Sequence, residues 1–135
     1  MKPTVRLQRR PLAPHLRIYR LTMTMTMSIL HRLTGIALYL GTLLLTWWLV
    51  SAAWSPGAYA TFRLFIGSSA GEIVLLGYVW ALLHHLLGGL RHFVWDMGKG
   101  FDLPAANVMA RATLIGSLSL TAAIWVAGHL FGGAT

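Results

Sequence analysis

Cysteine is absent from this chain of 135 residues, and acids nearly so: three Asp and Glu stand against eleven Lys and Arg. Without cysteine the chain alone can hold no disulfide, no thiolate zinc site and no iron–sulfur cluster. Charge of either sign is scarce as well. Charged residues make up 10% of the chain, where a soluble domain carries about 25%, and this excludes an ordinary soluble globule. The net charge of +8 would suit nucleic acid if the cations were spread over a surface. Instead they crowd toward the N-terminus, and long neutral apolar runs separate the rest. That pattern belongs to a membrane protein with charged ends, and no nucleic-acid partner is expected.

Three apolar runs carry the fold. Leu33 to Ala53 spans 21 residues without a charge, roughly 31 Å as a helix and so about one bilayer core. Ile73 to Leu90 contains only His84 and His85 as ionisable groups, and Ala112 to Phe131 only His129. Each run is too long for a strand, and a helix satisfies its own backbone in lipid. The expected fold is therefore an all-α membrane protein. It has a basic segment over 1–27 and transmembrane helices over about 28–53, 71–95 and 108–131, within one membrane-anchor domain. The alternating Thr22–Ser28 stretch reads as the approach to the first helix or its first turns, and the Gly/Ser-rich stretch from Ser55 to Gly71 as a connector.

The cations set the orientation. Lys2, Arg6, Arg9, Arg10, Arg17, Arg20, Arg32, Arg91, Lys99 and Arg111 fall on one side of the three spans, and Arg63 alone on the other. The positive-inside rule puts the N-terminus and the 96–107 loop in the cytoplasm. Trp47, Trp48, Trp54 and Trp95 lie near the span ends, where interfacial aromatics gather. The basic amino end lacks the apolar core and cleavage site of a signal peptide, and Pro3, Pro11 and Pro14 interrupt the amphipathic helix of a transit peptide. A bacterial cytoplasmic membrane is expected ahead of a mitochondrial inner membrane.

Polar groups inside lipid are functional candidates by default. In the second span His85, Gly88, Gly89, His92 and Asp96 fall near one helical face. Imidazole is a common axial ligand of haem iron, and small neighbours would admit a flat macrocycle. Arg91 and His92 lie about 10 Å further along the axis, where carboxylates of such a group would need cations. An intramembrane His is nonetheless more often a packing residue than a ligand. His84 and His85 point about 100° apart, so one iron takes only one of them, and spacing does not choose. A second ligand at matching depth is missing, since His31 and His129 sit near opposite span ends. A partner chain would supply it.

Ser28 and Arg32 share a face of the first helix at i, i+4, with His31 beside them. Together they could hold a quinone carbonyl or a lipid phosphate. A helix cap plus an anchoring Arg is the simpler use of the same pair.

Two ordered blocks carry a family likeness. The first is Arg10-Pro11-Leu12, then Pro14-His15-Leu16-Arg17-Ile18-Tyr19, then Ser28-Ile29-Leu30-His31-Arg32-Leu33-Thr34-Gly35. The second is His85-x-x-x-Gly89-Leu90-Arg91-His92-Phe93-x-Trp95-Asp96-x-Gly98. Together they resemble the cytochrome b membrane-anchor subunit of succinate dehydrogenase, respiratory complex II, over nearly the whole chain. The resemblance implies a haem b ligated by His85, with His84 as backup, its iron shared with a ligand from a second small anchor subunit. It implies that His31, Arg32, Arg91 and His92 lie in the haem propionate region. Ser28 and Arg32 would line a ubiquinone site, with menaquinone as the alternative substrate, and Asp96 would have a structural or proton-supplying role. Further implied partners are an iron–sulfur subunit, a flavoprotein subunit and membrane lipid. Succinate oxidation itself would belong to the flavoprotein, with no such catalytic residue in this chain. Function is then electron transport from the tricarboxylic acid cycle into quinone. The rivals are a fumarate reductase anchor and a cofactor-free membrane assembly scaffold.

Overall fold

The computed structural model describes residues 20–132. It contains four helices: α1 (Met23–Trp54), α2 (Pro56–Ile66), α3 (Ser69–Asp96) and α4 (Leu103–Gly132). No strand occurs among the described residues. Three helices, α1, α3 and α4, are long and apolar enough to cross a membrane. The 32 residues of α1 extend about 48 Å, well beyond the roughly 30 Å hydrocarbon core.

The helices begin where a side chain can cap them. Thr22 accepts from the Met25 amide at 3.4 Å, Ser55 from Ala58 at 3.1 Å, Ser68 from Gly71 at 3.2 Å, and Asp102 Oδ2 from Ala105 at 3.0 Å. Each cap satisfies an amide that has no intrahelical partner. Thr22 also settles the alternating stretch after it. Met23 to Ser28 forms the first turns of α1, because an isolated strand at a membrane edge would leave its backbone groups unpaired.

The expected connector between the first two spans is largely helical. Ser55 caps α2 and Pro56 stands in its first turn, where the missing amide of proline costs nothing. Phe62 and Phe65 bring α2 onto Trp47 of α1, with ring centroids 5.1 and 5.2 Å apart. Gly71 then allows α3 to start against the end of α2. A Cβ there would come 2.6 Å from the Ile66 Cα and 2.8 Å from its carbonyl.

Contacts between the long helices run in opposite directions. Along α1 and α3, His31 meets Gly88, Gly35 meets His85 and Gly41 meets Tyr78. Along α3 and α4, His84 meets Ser117 and Leu87 meets Gly116. Both pairs are therefore antiparallel. The turn between α3 and α4 is fixed by Gly98 and Gly100, at φ 73° and 74°, a backbone region glycine occupies without strain. The Trp95 indole closes that turn by donating to the Gly100 carbonyl at 3.2 Å.

Burial is inverted relative to a soluble protein. Among the described residues the inaccessible side chains include Thr34, Ser51, His84, Arg91, Thr113, Ser117 and Thr121. Only Met27, Phe62, Ala81 and Ala110 are buried apolar residues, while Leu, Ile, Val, Trp and Phe side chains line the outside. Lipid tails are as apolar as leucine, so nothing drives those side chains inward. Small and polar residues hold such bundles together instead. The chain is a multi-pass membrane protein in which these buried polar residues lie against its own helices.

Candidate functional site

The imidazoles of His31 and His85 stack where the start of α1 crosses the second half of α3. Their centroids are 4.0 Å apart and their planes 12° from parallel. Each ring bonds to the other residue's backbone. His85 Nδ1 lies 3.0 Å from the His31 carbonyl, and His31 Nε2 lies 3.3 Å from the His85 carbonyl. A carbonyl only accepts, so His85 carries its proton on Nδ1 and leaves a lone pair on Nε2. That nitrogen makes no hydrogen bond among the described residues. Thr34, whose hydroxyl donates to the Leu30 and His31 carbonyls at 2.9 Å, stands 3.4 Å from the same Nδ1.

Glycine makes this crossing possible. A Cβ on Gly35 would come 3.1 Å from Cε1 of His85, and one on Gly88 would overlap the His31 ring. His31 is thus laid over the backbone of α3, and His85 over the backbone of α1. His85 lies eleven residues before the end of α3, about 16 Å along the axis. Deeper along the same crossing an apolar groove of about 540 Å³ opens between α1 and α3, bordered by Thr34, Ala37, Gly41, Gly77, Tyr78 and Ala81.

The other expected residues separate into two groups. His92 packs against the stacked pair at a tilt, with its centroid 5.3 Å from His31 and edge-on to Trp95 at 5.1 Å. Ser28 and Arg32 lie on the outward face of α1, exposed and without a hydrogen bond among the described residues. Asp96 is exposed at the end of α3. Arg91 does not join His92. Its guanidinium carbon lies 5.0 Å from the Trp95 ring centroid, and its side chain lines a slot shared with α4.

His84 is enclosed on the α4 side, with 1% of its surface accessible. Ser117 Oγ lies 3.1 Å from its Nδ1 and donates its own proton to the Leu114 carbonyl at 2.9 Å. In the pair, therefore, the imidazole donates and the hydroxyl accepts. Trp80 packs against it at 5.4 Å. Sequence reasoning missed Ser117, although its signal was present. Ala110, Thr113, Ser117 and Thr121 recur every three or four residues along α4, the small-residue stripe of a helix contact. Replacing Ser117 with Val leaves a buried N–H without an acceptor. It is expected to cost about 1–3 kcal/mol, read as a lower thermal midpoint of the purified assembly with its visible absorption unchanged.

Comparison with known proteins agrees with this layout. Residues 6–124 match the family described as succinate dehydrogenase/fumarate reductase transmembrane subunit. The succinate dehydrogenase cytochrome b556 subunit of Paracoccus denitrificans is 47% identical over 111 residues, covering 82% of this chain and 85% of that protein. The cytochrome b556 subunit of Rickettsia felis is 36% identical over 118 residues, covering 87% and 92%. The mitochondrial cytochrome b560 subunit of Sus scrofa is 37% identical over 122 residues, covering 84% and 70%. With three apolar helices in place and a match along most of its length, the chain belongs to the succinate dehydrogenase/fumarate reductase transmembrane subunit family.

Proposed function

We propose that this chain is the haem b-carrying anchor of a succinate:quinone oxidoreductase, holding the flavin and iron–sulfur subunits at the membrane and contributing to the ubiquinone-reduction site. The observation that carries the reading is the state of His85. Its Nδ1–H is committed to the His31 carbonyl at 3.0 Å, while Nε2 is left free. Metal-bound histidines are held in this way: the second nitrogen donates to a carbonyl, which fixes the tautomer and raises ligand basicity. His84 has the same tautomer but is walled in by Ser117 and Trp80, leaving its ring no open side. The donor set fits a haem b, which His85 would hold through Nε2 together with a ligand from another anchor chain.

His31, Arg32 and His92 would meet the anionic propionates. They cluster toward the end of the bundle where α1 begins and α3 ends. Arg91, which the family register groups with them, faces α4 and is left out of this set. When bound, the haem would supply one-electron storage.

The rest of the chemistry falls to this chain's own side chains. Ser28 and Arg32 stand on one face at i, i+4 with their polar atoms free. Arg32 would stabilise the negative charge that develops on a quinone oxygen, most effectively where water is excluded. Ser28 would orient that oxygen by a hydrogen bond. The two protons needed come from water at the cytoplasmic border, and exposed Asp96 would relay them or order that border. The ten basic residues on one side support a cytoplasmic position for this border and for the N-terminal segment, in a bacterial membrane on this reading. The segment up to residue 19, with its Arg-Pro-Leu motif, lies outside the described residues.

A reduced-minus-oxidised optical spectrum, taken with mass spectrometry of the chains that co-purify, tests the proposal. A b-type α-band together with a flavoprotein, an iron–sulfur protein and a second small anchor is the expected outcome. A spectrum without haem, from a complex with other partners, would leave a docking scaffold and reject the cytochrome.

A further inference from the structure

Arg91 takes no part in the proposed haem and quinone contacts, yet it is among the most deeply buried charges in the chain. Only 5% of its surface is accessible, and its Nε is covered and without a hydrogen-bond partner. No carboxylate pairs with it among the described residues. Six residues past His85 on α3, it points about 120° away from that ligand. There it looks into a slot of about 240 Å³ between α3 and α4, walled by Leu87, Leu90, Val94, Met109, Ala112 and Thr113. A cation buried without a counter-ion is costly. The face of Trp95, 5.0 Å away, offsets part of that cost and leaves the hydrogen-bonding fork of the guanidinium unused.

We propose that this slot seats one anionic phospholipid, its phosphate on the Arg91 guanidinium and an acyl chain along Leu87, Leu90 and Met109. Three observations favour an amphiphile over a small anion or a partner's carboxylate. First, the walls are apolar apart from Arg91 and Thr113, and the Thr113 hydroxyl is engaged with the Met109 carbonyl at 2.9 Å. Second, the slot opens toward lipid, since Leu90 beside it is 50% exposed and Val108 is 65% exposed. Third, Arg91 lies five residues before the end of α3, about 8 Å from it. At that depth a long cationic side chain reaches the headgroup layer. Exposed Arg111, next to Ala112 on α4, adds positive charge at the mouth. A guanidinium binds phosphate through two parallel hydrogen bonds.

Native mass spectrometry of the complete detergent-purified complex, titrated with phosphatidylglycerol or phosphatidylcholine, tests this. One phosphatidylglycerol per copy of this chain should bind about tenfold more tightly than phosphatidylcholine, whose quaternary ammonium beside the same phosphate would be repelled, chiefly by Arg91. Arg91→Gln should erase that preference, Arg91→Lys should keep part of it, and Arg111→Gln most of it. The haem midpoint potential should stay at the wild-type value in Arg91→Gln. Equal retention of phosphatidylglycerol by wild type and Arg91→Gln overturns the proposal. So does displacement of the lipid by millimolar inorganic phosphate. A shifted haem potential with lipid retention intact would assign Arg91 to the propionates instead, and loss of a partner subunit with lipid retention intact would assign it to a partner carboxylate. If Arg91→Gln does not assemble, the wild-type comparison decides: equal affinity for the two lipids rejects the site.

Discussion

His85→Ala is expected to remove the b-type α-band, or to convert it to the high-spin spectrum of an iron that has lost one imidazole, whereas His84→Ala should keep the band. The contrast rests on two adjacent rings in opposite environments. His85 stacks on His31 at 4.0 Å with Nε2 unengaged, and its far side is open to whatever chain adjoins α1 and α3. His84 is sealed against Ser117, with 1% of its surface accessible. Outer-shell losses around a bound metal cost about 10–100-fold in affinity, so removal of the ligand itself should cost at least as much in haem retention. His84→Ala should act on stability instead. It empties a buried site on the α3–α4 contact and removes the N–H that Ser117 accepts, at a cost of about 1–3 kcal/mol. Haem content per complex, measured by pyridine haemochromogen, separates the two effects. Haem lost in His84→Ala and kept in His85→Ala would move the ligand by one residue.

The asymmetry between those histidines shows where sequence reasoning reaches and where it stops. The three spans were legible because lipid leaves only one way to satisfy the backbone of a long apolar run. Helix α2 was less so, although Ser55 before Pro56 is a cap followed by a residue suited to the first helical turn. Gly57, Gly67 and Gly71 obscured it, and what fixes α2 is the packing of Phe62 and Phe65 on Trp47, a contact between distant residues. Periodicity put His85 and His92 on one face, and in the structure both ring systems gather at His31. Arg91, one residue before His92, points about 100° from it, and in the structure its guanidinium lies over Trp95 and borders α4. The small-residue stripe of α4 marks Ser117 as part of a helix contact, but a hydroxyl in an apolar run says nothing of its partner until α4 is laid against α3. Completion of the proposed site lay beyond the sequence for a different reason: on that reading the open side of His85 and the exposed Ser28 and Arg32 would be met by a second chain and by ligands.

That incompleteness makes Ser28 and Arg32 informative. Arg32→Ala is expected to lower succinate:ubiquinone reductase activity by about 10²–10³-fold, the cost of removing one donor aimed at developing negative charge. Ser28→Ala should lower it by about 2- to 10-fold, the range of a single neutral hydrogen bond. Oxidation of succinate by a dye that accepts electrons ahead of the membrane should remain within about twofold of wild type, because on the proposed reading these side chains meet the quinone and lie downstream of the dye. Arg32→Lys separates charge from shape. It keeps the cation and loses the planar fork, so partial recovery means that charge at the quinone oxygen dominates, and none means that the fork geometry does. Arg32 is exposed and makes no hydrogen bond within the described residues, so its removal strips no packing from this chain's core. Dye activity that leaves the membrane for the soluble fraction in Arg32→Ala would instead point to a detached iron–sulfur subunit, and it would make Arg32 a docking residue with no contact to the quinone.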